Sequence, residues 1–306
     1  MKGIITKSTG SWYNVRTEHG KNILCRIKGK IRLDELKHTN PLAVGDVVEY
    51  ELENGREDGV IKKIETRRNY IIRKSSNLSK QTHIIASNLD QAILIATLVE
   101  PKTSLGFIDR FLLTTEAYHI PAVIIFNKSD LCGGGLKDIL DDTISIYQNI
   151  GYKSIFCSVK KNINIDIIAE LIKNKTSLVI GHSGVGKTSL LNSIEPTYQL
   201  RTGIISDYSG KGKHTTTFAE MFELSHGGFI IDTPGIKEFG VVDFKAEEVS
   251  HYFKEMQPYI GQCKFNNCKH INEPDCAVIT AVLEGKIREE RYESYLSIIN
   301  NNDVFN

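Results

Sequence analysis

The octapeptide Gly181-His182-Ser183-Gly184-Val185-Gly186-Lys187-Thr188 fits the phosphate-loop pattern G-x-x-x-x-G-K-[ST] at every fixed position. Glycines at these places let the backbone curl until successive N–H groups point at phosphate oxygens, and a helix opening there adds partial positive charge. The stretch from Gly181 to Ser189 is therefore a candidate phosphate cradle. Lys187 is placed to reach the β- and γ-phosphates, and the Thr188 hydroxyl to ligate Mg²⁺. Asp232-Thr233-Pro234-Gly235 follows the apolar run Phe229–Ile231. An Asp there suits Mg²⁺, directly or through water, and Gly235 can offer its N–H to the γ-phosphate. Asn127-Lys128-Ser129-Asp130 is an N-K-x-D tetrapeptide. The Asp130 carboxylate can accept from guanine N1–H and the N2 amine, a donor pair that adenine lacks. Leaving a buried carboxylate unpaired costs about 1–3 kcal/mol, which disfavours an ATP-using reading. The Lys128 stem can lie over the purine, Asn127 can tie neighbouring loops, and the loop of Ser158 can bring backbone to guanine O6.

A second chemistry sits near the C-terminus. Cys263, Cys268, His270 and Cys276 fall within fourteen residues, whereas Cys25, Cys132 and Cys157 are scattered. Three thiolates and one imidazole make a tetrahedral set suited to structural Zn²⁺, with no position left for water. Lys264 and Lys269 nearby can meet phosphate, although exposed lysines usually meet water.

These loops need elements to hold them. The first ~67 residues read as short strands, with Ile23, Cys25 and Ile27 alternating against Leu24, Arg26 and Lys28, and Val48, Tyr50 and Leu52 against Val47, Glu49 and Glu51. A turn is expected at 33–37. The pattern predicts a small OB-type barrel, with an SH3-like barrel as the alternative. Trp12 and Tyr13 offer stacking faces but are expected to pack. Residues 67–80 are basic and polar and read as a linker. From 68 onward, apolar runs at 92–99, 122–126, 154–157, 177–180 and 229–231 alternate with helical spacing at 107–120, 136–150 and 165–173. This rhythm predicts a parallel sheet covered on both faces. Helices are expected at 246–256, 276–285 and 289–300. The domain reading is a barrel over 1–67, an α/β P-loop domain over 68–245 and a helical zinc-binding segment over 246–306.

Composition sets the bounds. The chain has 306 residues, 41% hydrophobic and 25% charged, long enough for a sizeable core. Apolar runs fall far short of the ~20 residues that span a bilayer. The first fifteen residues lack the apolar core of a secretory signal, so neither membrane spanning nor export is expected. Clustered cysteines in such a chain point to metal before disulfide, and to the cytoplasm. The formal net charge of +1 divides into +7 for residues 1–80 and −6 for the rest. The basic quarter is either a solvated surface or a face for nucleic-acid phosphates. A monomer is the default expectation.

The motif order is unusual. In ordinary GTPases the phosphate loop comes first, then D-x-x-G, N-K-x-D and the Ser-containing loop. Here Asn127–Asp130 and Ser158 precede the phosphate loop, and Asp232–Gly235 comes last. The same parts are circularly permuted, which a sheet tolerates when the cut falls in a surface connection. On these motifs the sequence resembles the RsgA (YjeQ) family of circularly permuted GTPases across nearly its whole length. The resemblance implies GTP hydrolysis stimulated by the small ribosomal subunit, late maturation or release of 30S particles, and rRNA contact through barrel and zinc segment. Glu273-Pro274 before Cys276 matches that family's zinc element.

Cleavage of the γ-phosphate needs a group to orient water. Many GTPases use a Gln after D-x-x-G, but Ile236 stands there and cannot hydrogen-bond water. Residues 210–217, Gly-Lys-Gly-Lys-His-Thr-Thr-Thr, occupy the switch position. Thr216 is the expected Mg²⁺- and γ-phosphate-sensing hydroxyl, with Thr215 and Thr217 as competitors. His214 can position the water, a role the resemblance also implies. The zinc segment is expected to anchor the loop after Asp232. A non-catalytic RNA-binding assembly module is the alternative functional reading.

Overall fold

The computed structural model describes residues 1–27, 41–53, 57–74, 82–196, 219–232 and 244–300. Five strands form the N-terminal barrel: β1 (Lys2–Ser8), β2 (Tyr13–Thr17), β3 (Asn22–Ile27), β4 (Val47–Leu52) and β5 (Gly59–Ile64). β1 pairs antiparallel with β2 and β4, β2 with β3, and β4 with β5, while β3 runs parallel to β5. That ring, 1-2-3-5-4 with one parallel pair, is the OB arrangement and decides between the two barrel types. Alternate residues Ile5, Tyr13, Val15, Cys25, Val48, Tyr50 and Ile61 fill the interior. Tyr13 packs, as expected. Leu52 departs from the alternation: it pairs with Gly59 beside the turn into β5, past the barrel core, and is exposed. The expected turn at 33–37 lies outside the described residues.

The polar stretch expected as a linker instead carries β6 (Tyr70–Lys74), paired antiparallel with β7 (Thr82–Ser87). Ile71 and Ile72 give this strand its buried residues, a short apolar pair that surrounding Arg, Lys and Ser obscure in the sequence. Arg67 returns to Asp46 at the entrance to β4. The fully buried Asp46 carboxylate accepts from Arg67 Nε and Nη2 and the Ser87 hydroxyl, each at 2.6 Å, and from the Ala43 N–H at 2.8 Å. Beside it Gly45 has φ 92°, and a Cβ there would lie 2.2 Å from the Ser87 carbonyl oxygen. Only glycine lets barrel and hairpin approach so closely.

The central sheet contains β8 (Gln91–Ala96), β9 (Ala122–Phe126), β10 (Lys153–Phe156), β11 (Thr176–Ile180), β12 (Glu220–Glu223) and β13 (Phe229–Asp232), in the order β10-β9-β8-β11-β13-β12. All neighbours are parallel except β12 and β13. Its strands alternate between two buried layers. Ala92, Leu94, Ile124, Phe126, Leu178 and Ile231 pack under α1 (Leu105–Ala117) and α2 (Gly135–Asn149). Ile93, Ile95, Val123, Ile125, Val179 and Ile230 pack under α3 (Ile165–Ile172) and α4 (Lys187–Ile194). Burial on both faces is why these strands are apolar throughout. β12 also meets β1 at Lys7↔Glu220, so barrel and sheet form one ladder. Lys7 pairs with Glu220 and Arg16 with Glu223 across this seam, and Lys2 and Arg26 with Glu65 and Glu53 within the barrel. Carboxylates thus neutralise part of the basic excess.

The C-terminal segment has α5 (Ala246–Val249), two 3-10 turns, α6 (Ala277–Leu283) and α7 (Glu289–Ile299). The helix expected over 246–256 ends early, because Phe253 is extended and the chain turns to bury Val249, Phe253 and Met256 with Leu113 and Tyr295. Arg291 of α7 is buried and donates to Asp109 of α1 and to Glu255, with its guanidinium 4.6 Å from the Phe253 ring centre. Tyr147 of α2 donates to the same Asp109 at 2.9 Å. Among the described residues no helix is long and apolar enough to cross a membrane.

Candidate nucleotide site and metal centre

The carboxyl ends of β8, β9, β10, β11 and β13 lie side by side, and the motif loops leave from these ends. Strand β11 leads into the phosphate loop and α4 starts at Lys187. Gly186, at φ 91°, lies where a Cβ would come 2.4 Å from Asn127 Nδ2. That space is needed because the Asn127 amide donates to the Val185 carbonyl at 2.9 Å. The tie expected of Asn127 is present: it fastens the N-K-x-D loop to the phosphate loop. The Lys187 ammonium donates to the carbonyls of Gly181 (2.5 Å) and His182 (3.0 Å). Burial holds it below the ordinary amine range, while the Asp232 carboxylate pulls the other way.

Asp232 ends β13 opposite Val179 of β11, so this buried carboxylate lies beside the strand that feeds the phosphate loop. Its oxygens and the Thr188 hydroxyl are hard donors of the kind Mg²⁺ takes. Asp130 accepts from the Ser158 hydroxyl at 2.5 Å, and Ser129 N–H donates to the Cys157 carbonyl at 3.0 Å. Ser158 therefore does more than lend backbone: its side chain orients the candidate base-reading carboxylate. Ser183, Gly184 and Ser189 are exposed, Val185 is buried, and the His182 ring lies tilted against Phe107 of α1 with ring centres 3.9 Å apart. Burial, and then Lys187, hold His182 below its usual range and keep it neutral. Thr233, Pro234, Gly235 and Ile236, and with them Gly210, Gly212, His214 and Thr215 to Thr217, lie outside the described residues.

Sequence reasoning missed the connection from β8 to α1. Glu100 accepts the Lys128 ammonium through its carbonyl, and Pro101 lies against Gly184, its Cδ 3.4 Å from where a Cβ on that glycine would be. Nothing in Thr97-Leu98-Val99-Glu100-Pro101 forms a motif, so no local signal pointed to it.

The ligand atoms of Cys263, Cys268, His270 and Cys276 lie within 4.8 Å of one another. Cys263 Sγ is 3.9 Å from Cys276 Sγ, and His270 Nδ1 is 3.5 and 3.3 Å from those sulfurs. A tetrahedron with ~2.3 Å metal–sulfur bonds has edges of about 3.8 Å, so the four atoms fit a metal of zinc's size. Burial pushes the Cys268 thiol up to about 12, raises Cys276 and lowers His270, so without a cation these two thiols stay protonated. Tyr292 and Tyr295 of α7 donate to the carbonyls of His270 (2.7 Å) and Lys269 (2.6 Å), bracing the ligand loop. Burial alone would raise the Glu273 carboxyl, but N–H donors from Lys269, Ile271 and Asn272 hold it at about 2. Lys264 and Lys269 pair with Asp275 and Glu247. The docking contacts described above fall on α1 and α2, on the layer opposite α4.

Comparisons with known proteins converge. The RsgA GTPase family model matches residues 64–242, and the RsgA N-terminal domain model residues 2–61. A small ribosomal subunit biogenesis GTPase RsgA of Phocaeicola vulgatus is 51% identical over 299 residues, covering 98% of this chain and 96% of the relative. Its counterpart in Christiangramia forsetii is 52% identical over 301 residues, with coverage of 98% and 96%. The crystal structure of YjeQ from Thermotoga maritima superposes with a TM-score of 0.80 at 34% identity, covering 98% of this chain and 97% of that one. YloQ, a circularly permuted GTPase, gives a TM-score of 0.75 at 31% identity, covering 98% and 94%.

Proposed function

The chain belongs to the RsgA GTPase family, and from that premise we propose that it hydrolyses GTP in the biogenesis of the small ribosomal subunit. We assign barrel, permuted GTPase domain and zinc segment to 1–67, 68–245 and 246–306. The observation that supports the reading is the Asn127–Val185 hydrogen bond, which ties the loop carrying Asp130 to the phosphate loop. In that site Gly181–Ser189 wraps the phosphates, Lys187 neutralises the β- and γ-oxygens, and Asp130, steered by Ser158, selects guanine under the Lys128 stem. Mg²⁺ supplies charge neutralisation at the phosphates when bound, and Thr188, Asp232 and Thr216 are its assigned protein ligands. Gly235 offers a backbone N–H to the γ-phosphate, and His214 orients the attacking water. Cys263, Cys268, His270 and Cys276 hold one structural Zn²⁺.

The partner is the 30S subunit and its rRNA, met through the barrel and the zinc segment in the cytoplasm by a monomer. Ribosomal contact accelerates hydrolysis by bringing His214 to the attacking water. GTP turnover measured with and without purified 30S subunits across a salt series tests this. Stimulation that fades with rising salt is expected. Equal rates with and without subunits, or wild-type stimulated turnover by His214→Ala, would overturn the corresponding part. Asp130→Asn should move preference from GTP toward xanthosine triphosphate by ~100-fold.

A further inference from the structure

One short connection without a motif touches both halves of the nucleotide site. Residues 97–104 between β8 and α1 are closed on themselves. Thr97 N–H donates to the Thr103 hydroxyl at 3.1 Å, Thr103 N–H returns to the Thr97 carbonyl at 2.8 Å, and the Thr97 hydroxyl donates to the Pro101 carbonyl. Both threonines are buried, so these bonds at the base of the loop are shielded from water. At its tip Glu100 has φ 50°, a left-handed conformation that residues other than glycine seldom adopt. The carbonyl of that residue accepts the Lys128 ammonium, and Lys128 is itself left-handed at φ 61°. Strained backbone of this kind persists only where the surroundings hold it, and it gathers at ligand clamps.

The next residues reach the phosphate side. Pro101 lies against Gly184, and Phe107, in the first turn of α1, meets the His182 ring at a tilt of 37°. Ser104 caps α1 by accepting from Phe107 N–H at 3.3 Å, which fixes where that ring stands. Packing alone would explain any one of these contacts. It does not explain why a single connection meets the residue assigned to the purine face and two residues of the phosphate loop.

We infer that the β8–α1 connection is a positioning element for the guanine nucleotide: Glu100 fixes the Lys128 stem through its carbonyl, while Pro101 and Phe107 prop the phosphate loop at Gly184 and His182. It acts on affinity, because it presets loops that bind, and leaves γ-phosphate cleavage alone, because the contacts described above fall on Lys128, Gly184 and His182 and not on Thr188 or Asp232. The inference rests on the nucleotide site proposed above.

The test uses full-length, zinc-loaded protein and three substitutions that leave the assigned ligand-binding side chains intact: Pro101→Gly, Thr97→Val and Phe107→Leu. Dissociation constants for a fluorescent GDP analogue, single-turnover GTP cleavage at saturation, and melting of the nucleotide-free protein are measured together. If the loops are correctly arranged only about a tenth of the time once the prop is loosened, the dissociation constant rises ~10-fold. Cleavage at saturation should stay within about twofold. Unchanged affinity in every folded variant overturns the inference, as does a cleavage rate that falls in step with affinity, or affinity that merely tracks melting temperature. Thr97→Val decides the matter should Phe107→Leu fail to fold. Asp130→Asn runs alongside. If it keeps wild-type guanine preference, the site reading itself fails. If it loses that preference while the loop variants bind normally, positioning alone fails.

Discussion

The nucleotide site and the metal centre are built in opposite ways. The proposed nucleotide site takes loops from 97–104, 127–130, 158, 181–189 and 232, held together because five parallel strands end side by side. Glycine at 186 is needed so that Asn127 can cross to Val185. The candidate metal centre draws four side chains from fourteen consecutive residues and needs no sheet. The difference teaches that an open, exchangeable ligand site is supported by the fold, whereas a closed metal site supports the fold around it.

Stripping the metal should give the largest effect and the sharpest contrast. Structural zinc supplies on the order of 10 kcal/mol in small metal domains, so chelation is expected to melt the region around residues 263–276 and loosen α6 and α7. Hydrogen exchange should report this, while affinity for GDP stays within about threefold. Loss of nucleotide binding in parallel would break the contrast.

Arg291→Met comes next. It leaves Asp109 and Glu255 as buried carboxylates without their cation, a change that costs about 3–5 kcal/mol. Burial already pushes the Asp109 carboxyl upward against the pull of Arg291. Denaturant unfolding should show the loss with the metal retained, since none of the four ligands touches Arg291.

Gly186→Ala tests the other region. Its Cβ would meet the Asn127 amide, so the tie breaks and a positive φ is forced on alanine, at about 1–3 kcal/mol. Nucleotide affinity should fall ~10- to 100-fold in a titration, with metal content unchanged. Gly285→Ala, also at positive φ but with open space around it, serves as the control and should leave nucleotide affinity as it was.

The smallest effect is a labelling difference among cysteines. Burial raises Cys25 to about 11 and Cys157 to about 12, so their thiolates form only as pH climbs toward those values. At pH 8 less than about one part in a thousand is reactive. Chelation is expected to melt the region around residues 263–276 and release Cys263, Cys268 and Cys276 from the burial that holds Cys268 and Cys276 up, so alkylation of metal-free protein should mark these three and spare the still-buried Cys25 and Cys157. Early labelling of Cys157 would show that the base-reading loop opens with the metal segment.

The contrast also explains what reading residues in order can reach. The metal ligands are neighbours in sequence, so spacing alone revealed them, along with the phosphate loop, whose strand, glycines and helix are contiguous. Parallel strands were legible because burial on two faces demands unbroken apolar runs such as Ala122–Phe126. Legibility failed at β6, where only Ile71 and Ile72 interrupt a polar stretch, and at Phe253 and Met256, where tertiary burial overrode helical spacing. It failed too at Glu100, Pro101 and Phe107, which bear on the phosphate loop through space and carry no pattern of their own.

By itself, then, the amino-acid order determined which chemical groups exist, which of them are local partners, and that their motifs run in permuted sequence. Only the tertiary structure decided that Asn127 meets Val185, that Ser158 steers Asp130, that β3 lies parallel to β5, and that the C-terminal segment packs against Leu113 of α1. The reason is physical. Local spacing is governed by short-range backbone geometry, whereas these pairings join residues far apart in the chain and exist only once the sheet and its two buried layers have brought them within bonding distance.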